Sequence, residues 1–68
     1  MHPINVCFES HDGTTSRTLG PFECFSAVDG ILFADFRIIA FCDEQNQDWY
    51  SYDLGSHWKA VVIRPQRS

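Results

Sequence analysis

No stretch of this chain is apolar for long enough to cross a bilayer as a helix, which takes about 20 residues. Its start, Met1-His2-Pro3-Ile4-Asn5, lacks the basic segment and apolar run of a signal peptide. The expectation is a cytoplasmic protein without a membrane anchor. Basic residues are also scarce. Five Lys and Arg stand against nine Asp and Glu, a formal net charge of −4. A nonspecific grip on nucleic acid needs a positive field that releases counterions. Docking on an anionic membrane needs the same field. The charge argues against both. The acids form no long run either, so mimicry of a DNA backbone has no support.

The usual marks of catalysis are missing. Cys7, Cys24 and Cys42 lie 17 and 18 residues apart, with no C-x-x-C pair. An odd number of cysteines cannot all pair within one chain. They read as reduced, half-buried strand residues. His2, His11 and His57 form no close pair with one another or with a cysteine, so no metal site is expected. All four glycines are isolated, which leaves no phosphate-cradling loop. Cys7 or Cys42 meeting His57 across a sheet is the one conceivable nucleophile–base pair. No glycine elbow or helix start activates either thiol. A chain this short also has little room for a pocket of a few hundred Å³. The reading is no enzyme, no cofactor and no metal. The acidic pairs Asp43/Glu44 and Asp48/Asp53 read as solvated loop residues.

What the chain does have is aromatic residues: six Phe, two Tyr and two Trp among 68 positions. A single domain of this size buries only about 60% of its unfolded surface and is marginal without help. Each buried aromatic removes about 150–250 Å² from water. Ten of them make a core feasible and leave some for a surface. Apolar content of 44% argues against disorder.

The pattern along the chain is of short strands. Ile4, Val6 and Phe8 alternate with Asn5, Cys7 and Glu9, the period of a strand with one buried face. Asp12-Gly13 is a turn dipeptide, and residues 17–19 begin the return strand. Gly20-Pro21 interrupts that strand, which predicts a bulge or an edge position because Pro lacks the ladder donor. Asp29-Gly30 is a second turn, residues 31–33 a short strand, and Ala34-Asp35 a third turn. Residues 36–42 then run apolar on both faces through Ile38, Ile39 and Phe41, which suggests a central strand. Residues 43–48 are wholly polar and read as a loop. Residues 49–54 alternate again. Gly55-Ser56 turns the chain into a last strand over 57–64, Pro65 ends it, and residues 66–68 form a frayed tail.

These features predict one all-β domain over residues 1–68. The expected form is a five- to six-stranded antiparallel meander rolled into a small barrel or a strongly curved sheet. The alternative is α+β. Ser26 with Asp29 resembles a capping box, and Val28, Leu32, Phe36 and Ile39 fall at helical spacing, which would place a short helix near residues 26–36.

The candidate site is the aromatic cluster near the C-terminus. Trp49, Tyr50, Tyr52 and Trp58 lie on two strands joined by a tight turn, flanked by Asp48, Asp53 and His57. Aromatics then occupy both faces of one hairpin. One face must serve the core, where cross-strand aromatic pairs stabilise small sheets. The other is free to recognise a partner. The expectation is a noncatalytic protein–protein interaction module: an adaptor, an inhibitor or a self-associating subunit of a homo-oligomer. The alternative is binding of a small ligand, a peptide or single-stranded nucleic acid on an aromatic platform. An aromatic cage beside acids suits methylated ammonium groups, and stacking suits any base but normally needs a basic groove.

Overall fold

The computed structural model describes residues 3–66. Met1, His2 and the Arg67-Ser68 end of the expected tail lie outside the described residues. Eight strands follow one another: β1 (Ile4–Glu9), β2 (Ser16–Phe22), β3 (Phe25–Val28), β4 (Ile31–Ala34), β5 (Arg37–Asp43), β6 (Asp48–Ser51), β7 (Ser56–Trp58) and β8 (Ala60–Pro65). Every pairing is antiparallel. The strands form two sheets, one ordered β2-β1-β8 and one ordered β3-β4-β5-β6-β7. The second is the expected five-stranded meander. There are two sheets in place of a closed barrel, and the strand count exceeds the five or six expected because long apolar stretches break at corners.

The first hairpin follows its sequence closely. Val6 and Phe8 are fully buried and their neighbours are not. In the connecting loop, Asp12 Oδ1 accepts hydrogen bonds from the Thr14 amide at 3.0 Å and from the Thr14 and Ser10 hydroxyls at 2.8 Å each. These donors, the Thr14 amide first, hold the Asp12 carboxyl at a pKa of about 2. β2 is an edge strand, as the Gly20-Pro21 pair suggests, and its ladder with β1 shifts register between Ile4 and Val6. Gly20 sits at φ 121°, and a Cβ there would come within 2.9 Å of the Ile4 carbonyl and Asn5 Oδ1. Only glycine fits that approach.

Residues 26–36 form a β3–β4 hairpin, so the helical alternative is overturned. The physical reason lies at Asp29-Gly30, where φ is 52° and 75°. Two successive left-handed residues make the mirror-image turn whose twist matches a β-hairpin, and they end any helix. The pairing then runs Val28↔Ile31 through Phe25↔Ala34. Asp35 and Phe36, at φ 50° and 67°, repeat this geometry and start β5 one residue later than expected. β5 is the middle strand of its sheet, in keeping with its two apolar faces. A bulge opposite Leu32/Phe33 leaves Ile39 unmatched, and both Ile39 and Ala40 are fully buried.

The expected last strand over 57–64 is two strands in two sheets. The chain turns a corner at Lys59, whose amide donates to the Glu9 carbonyl at 2.9 Å. β7 pairs with β6 before the corner, and β8 pairs with β1 after it. A similar corner joins β2 to β3. There Asp35 Oδ1 accepts the amides of Glu23 and Cys24 at 2.9 and 3.1 Å, and the Asp35 amide donates to the Cys24 carbonyl at 2.9 Å. The core fills the space between the sheets: Val6, Phe8 and Phe22 from one, and Leu32, Ala34, Ile39, Ala40 and Trp58 from the other. The three cysteines are free and half-buried.

Candidate functional site

Antiparallel register decides which aromatics face which way, because directly paired residues share a face. Cys42, Trp49 and Trp58 are paired across β5, β6 and β7. Trp58 is buried with its ring centroid 6.1 Å from that of Phe8, and Trp49 packs against the same core. Both tryptophans therefore belong to the inner face. The neighbouring row is Ile31, Phe41, Tyr50 and His57, paired across β4 to β7. It lies on the outer face.

On that outer face Phe41, Tyr50 and Tyr52 form a triangle. Their ring centroids lie 5.6 Å (Phe41–Tyr50), 5.7 Å (Phe41–Tyr52) and 5.5 Å (Tyr50–Tyr52) apart. His57 stands edge-on to Tyr50 at 5.0 Å. The tyrosines are not equivalent in the backbone. The turn expected at Gly55-Ser56 is a longer loop over residues 52–55, closed by the Gly55 amide donating to the Ser51 carbonyl at 2.8 Å. Tyr52 thus leaves the strand, but its amide donates to the Ile39 carbonyl at 3.0 Å and keeps it against the sheet. Leu54, expected on the same face as Tyr50 and Tyr52, packs on the core instead.

The apolar surface continues away from the tyrosines. Val28, Ile38 and Tyr52 are 54%, 44% and 54% exposed. A shallow hollow of about 290 Å³ lies among Ile31, Ile38, Phe41 and Tyr52, with Asp29 at its edge. At the β4–β5 tip, Phe36 is 93% exposed, beside a second hollow of about 300 Å³ that Phe33 also lines. Phe36 holds a left-handed φ that a side chain adopts only at a cost of about 1–2 kcal/mol. Asp53 is committed to Arg37, whose guanidinium donates to both its oxygens at 2.7 and 2.8 Å. That pairing holds the Asp53 carboxyl below its usual range and raises Arg37.

Asp48 departs from its expected place as a solvated loop acid. It opens β6 and is 4% exposed. His57 Nδ1 donates to Asp48 Oδ1, and His11 Nε2, from the β1–β2 loop, donates to Oδ2, each at 3.0 Å. Burial pushes the Asp48 carboxyl up, but the bonds and charge of His57 and His11 outweigh it and leave it below the ordinary value.

Of the six residues singled out in the sequence, Tyr50, Tyr52 and His57 lie on the outer side, Trp49 and Trp58 lie inside, and Asp53 is bound to Arg37, which pairs with buried Ala34 and stands over the Phe22 ring. Phe41, on the outer face, and Phe36, exposed at the β4–β5 tip, carried no signal beyond apolarity in a strand-like run. The link from His11 to Asp48 spans 37 residues and has no local signature. No match to this chain was found among protein-family models, curated proteins or solved structures.

Proposed function

We propose that this domain is a noncatalytic protein-binding module that engages its partner on the outer face of the five-stranded sheet. One observation carries the reading: an apolar surface of Ile31, Ile38, Phe41, Tyr50 and Tyr52, with Phe36 exposed at the neighbouring β4–β5 tip, that no element of the chain covers among the described residues. Contiguous exposed apolar surface on a small domain marks an interaction site. Aromatics presented on a rigid strand framework are the side chains that dominate binding energy at such sites.

The surroundings select the kind of partner. Asp29 edges the hollow, Asp43 and Asp48 follow Phe41 and Tyr50 on the same face, and Arg37 is neutralised by Asp53. The whole chain carries −4. A second copy would bring acids against acids, and single-stranded nucleic acid would bring phosphates against them. A polypeptide segment with apolar anchors flanked by Lys or Arg is complementary in both respects.

The test is selection from a random linear-peptide library on the folded protein, followed by affinity measurement with Tyr52→Ser and Phe36→Ser. Enriched peptides should combine aromatic or aliphatic anchors with basic residues, and each variant should weaken them by more than about tenfold, which is 1.4 kcal/mol. Failure to enrich, or binders indifferent to both folded variants, overturns the proposal. A stable dimer in light scattering that Phe36→Ser dissociates assigns the face to self-association instead.

A further inference from the structure

On the same face as the aromatic triangle, two carboxylates meet without a Lys or Arg. Asp43 and Asp48 are direct cross-strand partners on β5 and β6. Like charges so placed destabilise a sheet unless something positive stands between them. Among the described residues neither acid pairs with a Lys or Arg; the ion pairs of Asp48 are both with imidazoles. Asp48 is also almost wholly removed from water, where a carboxylate is expensive to hold and only the two imidazoles compensate it.

We propose that Asp43, Asp48 and His57, with His11 supporting the second oxygen of Asp48, form a binding site for a divalent first-row transition ion of the zinc class. The donor atoms of Asp43, Asp48 and His57 all lie within 4.8 Å of one another. His57 Nδ1 and His11 Nε2 each lie 3.0 Å from one oxygen of Asp48. Neighbouring ligands of an ion with bonds of about 2.0–2.2 Å sit roughly 3.0–3.5 Å apart, so the donors would close by up to about 1–2 Å around the ion. A mixture of imidazole and carboxylate suits zinc, cobalt or nickel better than calcium or magnesium, which take oxygen throughout.

The framework orients these groups. Asp43 is fixed by its own turn: its Oδ1 accepts the Gln45 and Asn46 amides at 3.1 and 3.2 Å, and its Oδ2 accepts Asn46 Nδ2 at 2.9 Å. His57 is held edge-on against Tyr50. His11 is 55% exposed at its side chain, on the hairpin loop of the other sheet. Coordination would replace the His57–Asp48 N–H···O hydrogen bond, the His57 ring carrying its proton on Nε2 so that no proton need leave the site. The ion would then tie the end of β5 to the start of β6 and to β7, while His11 keeps its hydrogen bond to the other oxygen of Asp48. This site adjoins the partner-binding face, since His57 stands edge-on to Tyr50, but it uses none of Phe36, Phe41 or Tyr52, the side chains on which that reading is tested.

The test begins with the metal-free wild-type chain. Cobalt(II) titration should give visible d–d bands that saturate at a single equivalent, without the intense near-ultraviolet band of thiolate ligation. Zinc(II) should displace cobalt and raise the unfolding midpoint with concentration, while magnesium and calcium should do neither. His57→Gln and Asp43→Asn should each weaken zinc binding by at least about tenfold, since loss of a supporting hydrogen bond alone costs that much at metal sites. His11→Gln, on the exposed loop, serves as the variant least able to disturb folding and should weaken binding through lost support of Asp48. Absence of saturable cobalt binding to the wild type overturns the proposal, as does zinc affinity indifferent to all three folded variants, or a thiolate signature that places the ion on a cysteine.

Discussion

The two faces of the β6–β7 hairpin carry the same kinds of residue and do different work. On the inner face Trp49 and Trp58 are paired and packed against Phe8 and its neighbours. On the outer face Tyr50 is paired with His57, and Tyr52 and Phe41 complete a cluster that faces solvent. One residue of register separates the two sets. The difference is therefore one of alternation, and a shift of register by one would exchange them. It teaches that aromatic content by itself says nothing about function in a domain this small. The side of the strand says it.

Truncation of the inner face should have the largest effect. Trp58→Ala should cost about 3–5 kcal/mol, the range for removing a buried aromatic. Chemical denaturation should show a large fall in midpoint or an unfolded chain. A small loss would mean that the tryptophans are not the structural half. Trp58→Phe sharpens the same point. The indole Nε1 is buried without a hydrogen-bond partner, so Phe keeps ring area and removes a donor whose burial costs about 1–3 kcal/mol. Its loss should be well below that of Ala in the same denaturation series.

Of intermediate size is Gly20→Ala, which asks whether the edge of the other sheet tolerates what the outer face does. Close backbone contact and a left-handed φ together predict a loss of about 1–3 kcal/mol. Smaller still is Tyr52→Ser. Unfolding free energy should fall by no more than about 1 kcal/mol, the size of one aromatic pair interaction, although partner binding is expected to collapse. A double-mutant cycle on Arg37 and Asp53, both partly in water, should return no more than about 1 kcal/mol.

The smallest expected effect is on pH. The Asp12 carboxyl ionises near 2 in the folded chain, below its ordinary value of 3.8. A depressed carboxyl contributes stability that is fully present above its unfolded pKa and is lost as pH falls through the folded one. The β1–β2 loop should therefore keep its amide protection above about pH 4 and lose it between about pH 4 and 2. NMR shifts of the Thr14 amide should report the midpoint, and a midpoint at the ordinary Asp value would show that the loop bonds do not form.

Much of this was legible because the signals were local. Alternation marked β1, the paired apolar faces of residues 38–41 marked the central strand, and Asp12-Gly13 and Asp29-Gly30 marked turns. The helical reading of residues 26–36 arose because Val28, Leu32 and Phe36 satisfy a helical period by chance. Two hairpin turns in eleven residues outweigh that spacing. The sheet switch at Lys59 has no proline or glycine to announce it, since the corner is fixed by a hydrogen bond to distant Glu9. The burial of Asp48 was hidden for the same reason. A polar run reads as solvated until a loop from elsewhere in the chain, here the one carrying His11, is laid over it. At the aromatic site, composition located the right hairpin, but only the register with β5 divided it into core and surface and added Phe41.

The pairing of the first strand with the last has a consequence for the order of folding. Ile4 lies opposite Pro65, so the three-stranded sheet is completed by residues at nearly the greatest separation the chain permits. Contacts of that span form late, because the entropy of closing the intervening chain must be overcome before they contribute. The meander from β3 to β7 is built wholly from neighbours and can assemble as soon as it is made. During synthesis β1 and β2 must wait as a hairpin, with Val6 and Phe8 lacking their final neighbours, until β8 arrives. The rate of folding should accordingly respond to substitutions in β4 and β5 and remain nearly indifferent to those in β8, whose loss should appear as faster unfolding.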